Sequence, residues 1–257
     1  MSYSHALAGA VGWLTMDRPA AMNSLNGEMI AGLTERLNAW RDDPAVRVVV
    51  ITGNGRAFCA GADLKEAAAD AAEPGQKDFL DRIVDFFNTL RAFPKPVIAA
   101  VNGLALAGGL EVVLACDVVV AAESAKLGDA HSNFGVFPGA GGAAILPRKV
   151  PVNVARYLLF TGDALSATEL KGYGLVNEVV PDAGLRDRAQ ALAEKFAKKS
   201  PLVLARMKRV ANEAADKSAA DALRHELLEL RDHRRSYDVW EGLAAFAEKR
   251  EPQFKGY

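Results

Sequence analysis

Two cysteines in 257 residues, Cys59 and Cys116, make no CxxC pair and no Cys/His ligand spacing. That scarcity excludes a disulfide-stapled miniprotein and a structural zinc module, and it fits a reducing cytoplasm. No apolar run is long enough to span a bilayer, because charges or prolines interrupt each one. Residues 1–10 hold no basic segment leading into a long apolar stretch, so no signal peptide is expected. An excess of one charge is missing too. The 31 Lys and Arg stand against 32 Asp and Glu, a formal −1, which leaves no global field to gather nucleic acid or anionic lipid. Neither nucleic acid nor membrane is expected as a partner. GxGxxG, GxxxxGK[ST] and GxSxG are all absent, which removes the dinucleotide fingerprint, the P-loop and the nucleophile elbow.

What is present is ordinary globular composition, 50% hydrophobic and 25% charged, in a length that one large α/β domain can hold. Runs at 46–52 (VRVVVIT), 97–101 (VIAAV), 118–121 and 175–180 read as strands of a sheet covered on both faces. Helices fall between them. Ile30, Leu33, Leu37 and Trp40 recur at helical spacing up to Asp42-Asp43-Pro44. Pro151 suits the first turn of a helix running to Phe160, with Gly162 beyond it. Ser166 and Glu169 have capping-box spacing. Past residue 184 the strand signal stops, and Leu185, Ala189, Leu192 and Phe196 begin a series of amphipathic helices. The expected organisation is an α/β body over 1–195 and a helical region over 196–257. Segment 66–77 (EAAADAAEPGQK) reads as a surface loop or frayed helix, either lining a ligand entry or merely connecting.

Two glycine corners could carry chemistry. Phe58-Cys59-Ala60-Gly61-Ala62-Asp63-Leu64-Lys65 follows a strand, and Asn102 to Glu111 turns a strand into a helix through Gly108-Gly109. Small residues admit a ligand to the backbone, and amides at a helix start are free donors. One amide from each corner would form an oxyanion hole worth about 3–4 kcal/mol per donor; two structural glycine turns would read the same way. Glu111 is either a buried general base or an N-terminal glutamate on its helix dipole. His131, on a glycine-flanked loop, is either structural or a proton-transfer group suited to neutral pH. Phe134, Val136 and Phe137 read as core packing or as an apolar lining near His131. Cys59 and Cys116 read as small buried residues.

In combination these segments resemble the crotonase (enoyl-CoA hydratase/isomerase) superfamily along nearly the whole chain. The resemblance is carried by Asp17-Arg18-Pro19 with Asn23 and Leu25, FCAGADLKE from Phe58, KPVIAAVNG from Lys95, GGLE from Gly108 and PGAGG from Pro138. LFTGDALSA from Leu159, GLVNEVVP from Gly174 and AFAEKR from Ala245 continue it in order. It implies a spiral of ββα units over 1–195, a C-terminal helical trimerisation region, and a homotrimer or dimer of trimers. It also implies an acyl-CoA thioester substrate with no cofactor, coenzyme A being part of the substrate. By motif position the oxyanion amides would be those of Ala62 and Gly108. The adenosine end would lie against Ala21, Met22 and the stretch from Ala60 through Asp63 and Leu64 to Lys65. Phe246 and Lys249 would close over the nucleotide from a neighbouring subunit. Hydratases of this family use two glutamates. Glu111 matches the first, and His131 stands where the second would be. The resemblance therefore implies 2-enoyl-CoA hydration with Glu111 as base and His131 as partner. Isomerisation, thioester hydrolysis or decarboxylation on the same fold, or an inactive CoA-ester-binding scaffold, are the other readings.

Overall fold

A hairpin opens the chain: Tyr3–Ala8 (β1) runs antiparallel to Val11–Met16 (β2). β1 is an edge strand with mostly exposed side chains, so it lacks the apolar signature of the strands beyond it. Gly27–Arg41 (α1) begins at Asn26, whose side chain accepts the Met29 amide, and it buries Ile30, Leu33, Leu37 and Trp40 as the spacing predicts. The computed structural model describes residues 1–69 and 77–257, so most of the alanine-rich segment at 66–77 lies outside the described residues.

Three strand pairs follow in the same pattern. Val48–Gly53 (β3) leads to Ala57–Cys59 (β4), and the helices Leu64–Ala69 (α2) and Phe79–Arg91 (α3) come next. Val97–Val101 (β5) leads to Leu104–Leu106 (β6) and the helix Gly108–Ala115 (α4). Val118–Ala122 (β7) leads to Lys126–Gly128 (β8), then Leu146–Lys149 (α5) and Val152–Thr161 (α6). Ala164–Ser166 (β9), Ala167–Gly172 (α7) and Glu178–Val180 (β10) close the body. Each pair gives its first strand to a sheet ordered β1-β2-β3-β5-β7-β10 and its second to a sheet ordered β4-β6-β8-β9. Successive units pair in parallel, β3 with β5 with β7 and β4 with β6 with β8, so the ββα units rise as a spiral. The capping box of Ser166 and Glu169 forms as its spacing predicts. The expected strand at 175–180 is shorter, because Asn177 turns its side chain back to accept the Val119 amide.

Leu185–Ala197 (α8) lies across β3, β5 and β7 and covers the first sheet. Pro201–Ala214 (α9), Ala219–His233 (α10) and Tyr237–Glu248 (α11) follow, with Met207, Leu223, Leu227, Trp240 and Leu243 exposed along them. Among the described residues no helix is long and apolar enough to cross a membrane. Both cysteines are buried free thiols, and burial pushes the Cys59 thiol up to about 12.

The corners between paired strands are locked by two asparagines. Asn102 accepts the Gly53 amide at 3.0 Å and donates to Gly55 O at 2.9 Å, stacking one corner on the next. Asn23, fully buried, accepts the Arg18 amide at 2.8 Å and donates to Asn54 O and Ala57 O at 2.9 and 2.7 Å. It also sits at φ 55°, a left-handed conformation that asparagine tolerates better than alanine. Asn23→Ala removes three hydrogen bonds, one fully and two partly buried, and adds backbone strain, so we expect a loss of about 3 kcal/mol. A lower urea midpoint at unchanged m-value would register it.

Candidate active site

The corner at Ala62 and the start of α4 meet. Leu25 N donates to Gly61 O and Asp63 N donates to Leu25 O, both at 2.8 Å, forming an isolated parallel bridge. Because alternate residues of extended backbone point their amides to opposite sides, the Ala62 N–H is turned away from Leu25. Gly108 is the first residue of α4, where an amide has no acceptor within its own helix. A Cβ on Gly108 would stand 3.3 Å from Ala62 N, and one on Gly61 would stand 3.2 Å from Gly108 N. Two donors from two corners therefore lie side by side. Ala107, at φ 49° and ψ −119°, holds a conformation costly for an L-residue, about 1–3 kcal/mol. Its own amide donates to Gly128 O, and its carbonyl accepts from the Glu111 amide. These bonds fix the peptide that leads into Gly108.

Every residue of α4 is buried, and Glu111 is buried with it at 3% exposure. Its Oε1 accepts the Ala140 amide at 2.7 Å and the Gly142 amide at 3.0 Å. The carboxylate thus faces the turn beyond Pro138 rather than the free amides of its own helix, although it does stand in the first turn. Burial raises its pKa above the ordinary 4.5, the Gly142 and Ala140 amides and His131 pulling it down less than burial pushes it up. Arg91, the last residue of α3, donates to Ala140 O and so grips the same turn from behind. Glu111's charge favours the Arg91 cation, but burial prevails and lowers the Arg91 pKa.

His131 comes from a 3-10 turn after β8, close enough for its charge and that of Glu111 to act on each other. Its ring Nδ1 lies 2.9 Å from Asp129 Oδ1, and its main-chain amide donates to that same oxygen at 3.3 Å. Burial opposes the imidazolium, yet the hydrogen bond and charge of Asp129, joined by the charge of Glu111, outweigh it and raise the pKa above the ordinary 6.5.

The residues at the other end of the corner also assemble. Ala60 N donates to Met22 O at 3.0 Å, and Arg18 forms an ion pair with Asp63 at 3.0 Å. Met22 and Ala60, and through Arg18 also Asp63, are thus drawn together, with Leu64 and Lys65 exposed at the start of α2 and Ala21 in the short turn before Met22. Phe246 and Lys249 do not join it within the chain. Phe246 is 85% exposed near the end of α11, and Lys249 is exposed at its C-cap. Glu241 accepts from Arg250 through both oxygens and from the Gln253 amide, which holds the end of α11 in place and lowers the Glu241 carboxyl to about 2.

The structure corrects one reading and adds four groups. Phe134 and Phe137 are 69% and 83% exposed, with Val136 also exposed, so they are not core packing; they form an apolar surface beside His131. Asp129, Arg91 and the two amides on Glu111 were not identified as site groups from sequence. Asp129 has a local signal, since it lies two residues before His131, but Arg91 has none.

The model of the enoyl-CoA hydratase/isomerase family matches residues 7–257. A 2,3-dehydroadipyl-CoA hydratase of Escherichia coli is 39% identical over 247 residues, covering 95% of this chain and 94% of its own. The human mitochondrial enoyl-CoA hydratase domain-containing protein 2 is 41% identical, covering 98% of this chain and 88% of its own. The crystal structure of an enoyl-CoA hydratase from Bacillus anthracis superposes with a TM-score of 0.92 at 37% identity, covering 100% of both chains. The ββα spiral is thus the crotonase fold. The chain belongs to the enoyl-CoA hydratase/isomerase family and is an enzyme of it.

Proposed function

We propose that the protein hydrates a 2-enoyl-CoA thioester to the 3-hydroxyacyl-CoA, and catalyses the reverse dehydration. The observation that carries this reading is the buried Glu111 carboxylate, held by the Ala140 and Gly142 amides, on the helix whose first residue, Gly108, lies against Ala62. In the forward direction Glu111 takes a proton from water as the water oxygen bonds to C3. The C2=C3 electrons move toward the thioester oxygen, which becomes an enolate against the Ala62 and Gly108 amides. His131 then delivers a proton to C2 as the enolate collapses. Glu111 ends protonated and His131 neutral, and exchange with solvent restores both. The nucleotide end of coenzyme A lies along Ala21, Met22 and the Ala60 to Lys65 stretch, covered by Phe246 and Lys249 of a neighbouring copy in a trimer or dimer of trimers. No cofactor beyond the substrate's own coenzyme A takes part.

The assay is loss of enone absorbance from short- to medium-chain 2-enoyl-CoA esters. Hydration by the wild type that falls sharply in Glu111→Gln and His131→Ala supports the reading. Binding of the esters without hydration at any chain length overturns it, in favour of isomerisation, thioester hydrolysis or decarboxylation. The pH profile should be a bell. Activity falls as pH drops through the Glu111 pKa, which lies above 4.5, because the base becomes protonated. It falls again as pH rises through the His131 pKa, which lies above 6.5, because the acid loses its proton. A profile of kcat/KM flat on its alkaline side would remove His131 as the acid.

A further inference from the structure

We infer that Asp129 is the positioning residue of His131, holding the ring by Nδ1 so that Nε2 is the nitrogen left to exchange a proton with the substrate. The inference rests on the hydration mechanism for the use of Nε2, and on geometry for the pairing itself. Oδ1 of Asp129 stands 2.9 Å from Nδ1 and accepts the His131 main-chain amide at 3.3 Å. A carboxylate only accepts, so the ring hydrogen of the neutral form sits on Nδ1. The two contacts close a turn across Ala130, which adopts the left-handed φ 57° that an L-residue visits at a cost. The backbone is therefore bent into a less favoured conformation that brings the carboxylate to the Nδ1 edge of the ring.

Asp129 is itself 1% exposed, and among the described residues its Oδ2 has no hydrogen-bond donor. Burying a carboxylate so incompletely satisfied costs stability. What the fold obtains for that cost is the His131 contact. Oδ2 also presses on Gly142: a Cβ there would come within 2.4 Å of it. The amide of the same Gly142 holds Glu111 Oε1, so one glycine spaces the two carboxylates of the site. The charged groups facing the ring are Asp129 from its own turn and Glu111 from α4, with Arg91 of α3 beyond Glu111.

The test uses the full-length protein with 15N-labelled histidine rings, His131 assigned by His131→Gln. In the wild type the neutral ring should carry hydrogen on Nδ1. In Asp129→Asn the amide oxygen can still accept from Nδ1 but the charge is gone. The His131 titration midpoint should then fall by about one pH unit or more, and the alkaline limb of kcat should move down by the same interval at little-changed KM. Asp129→Ala, which also loses the acceptor, should let Nε2–H populate the neutral form. A wild-type neutral ring protonated on Nε2 overturns the inference without any variant. So does an Asp129→Asn protein whose kcat drops uniformly with no movement of midpoint or limb, the signature of a purely structural residue. Should no enoyl-CoA be hydrated, the ring signals still report the pairing, so failure of the mechanism and failure of the pairing read differently.

Discussion

Glu111→Gln should lower kcat for 2-enoyl-CoA hydration by about 10²–10⁴-fold, the range lost when a general base is removed. Glutamine fills the same volume, and its side-chain oxygen can keep both bonds from Ala140 N and Gly142 N, so the turn beyond Pro138 stays in place. What disappears is an atom able to hold the water's proton. Affinity for the CoA ester should change little, because the stretch proposed for its nucleotide end, Met22 and Ala60 to Lys65, is untouched. Steady-state kinetics with thermal melting would check this: an unchanged melting temperature with lost kcat assigns the loss to chemistry. Retention of most of the rate would mean that Glu111 only braces the turn.

The second large effect comes from a residue with no side chain. A Cβ on Gly109 would stand 2.0 Å from Cys59 O and 2.7 Å from its carbonyl carbon, both backbone atoms that cannot swing aside. In Gly109→Ala the start of α4 must back away from β4. The amide of Gly108 moves with α4 while that of Ala62 stays with the corner after β4, so the paired donors separate. Losing one donor of such a pair lowers kcat by about 10²–10³-fold, and the overpacked contact adds about 1–3 kcal/mol of destabilisation. Gly172→Ala is the control, since a Cβ at Gly172 meets nothing within 4 Å. Its stability and kcat should stay close to wild type, and a Gly109→Ala protein equally close would show that the corner tolerates the shift.

The strands read from sequence are those with continuous apolar runs. The strand at 97–101 appears to the residue as β5, and those at 46–52 and 118–121 are displaced by one or two residues at their ends. The strands that escaped are β1, an edge with exposed side chains, β2, which is buried but interrupted by Gly12 and Thr15, and β4, β6, β8 and β9, which have three residues each. Three residues carry no period. They are strands because the fold delivers each beside its neighbour in the sheet, with Asn102 and Asn23 tying together the corners before β4 and β6.

The site divides along similar lines. Glu111 and His131 could be named from sequence because their side chains are chemically unusual in glycine-rich surroundings, and Ala62 and Gly108 because their motifs match a known order. Whether Glu111 was buried could be suspected from its apolar neighbours, but which groups hold it could not. Those are the amides of Ala140 and Gly142, and an amide has no residue type to recognise. Arg91 is an ordinary helix-end arginine until the fold sets α3 against the Pro138 turn. Phe134 and Phe137 could be read as core or as lining because apolar character does not say which way a loop turns its side chains; the fold turns them outward.

For this protein the sequence by itself determined the α/β class, the strands at 46–52, 97–101 and 118–121, the glycine corners and the candidate residues Glu111 and His131, since these depend on local composition and short-range steric fit. Only the tertiary structure decided how closely the two corners meet, which amides hold Glu111, how deeply it is buried and that His131 leans on Asp129. Those depend on contacts between residues as far apart in the chain as Arg91 and Ala140, or Gly61 and Gly108, whose distances are set by the stacking of successive ββα units.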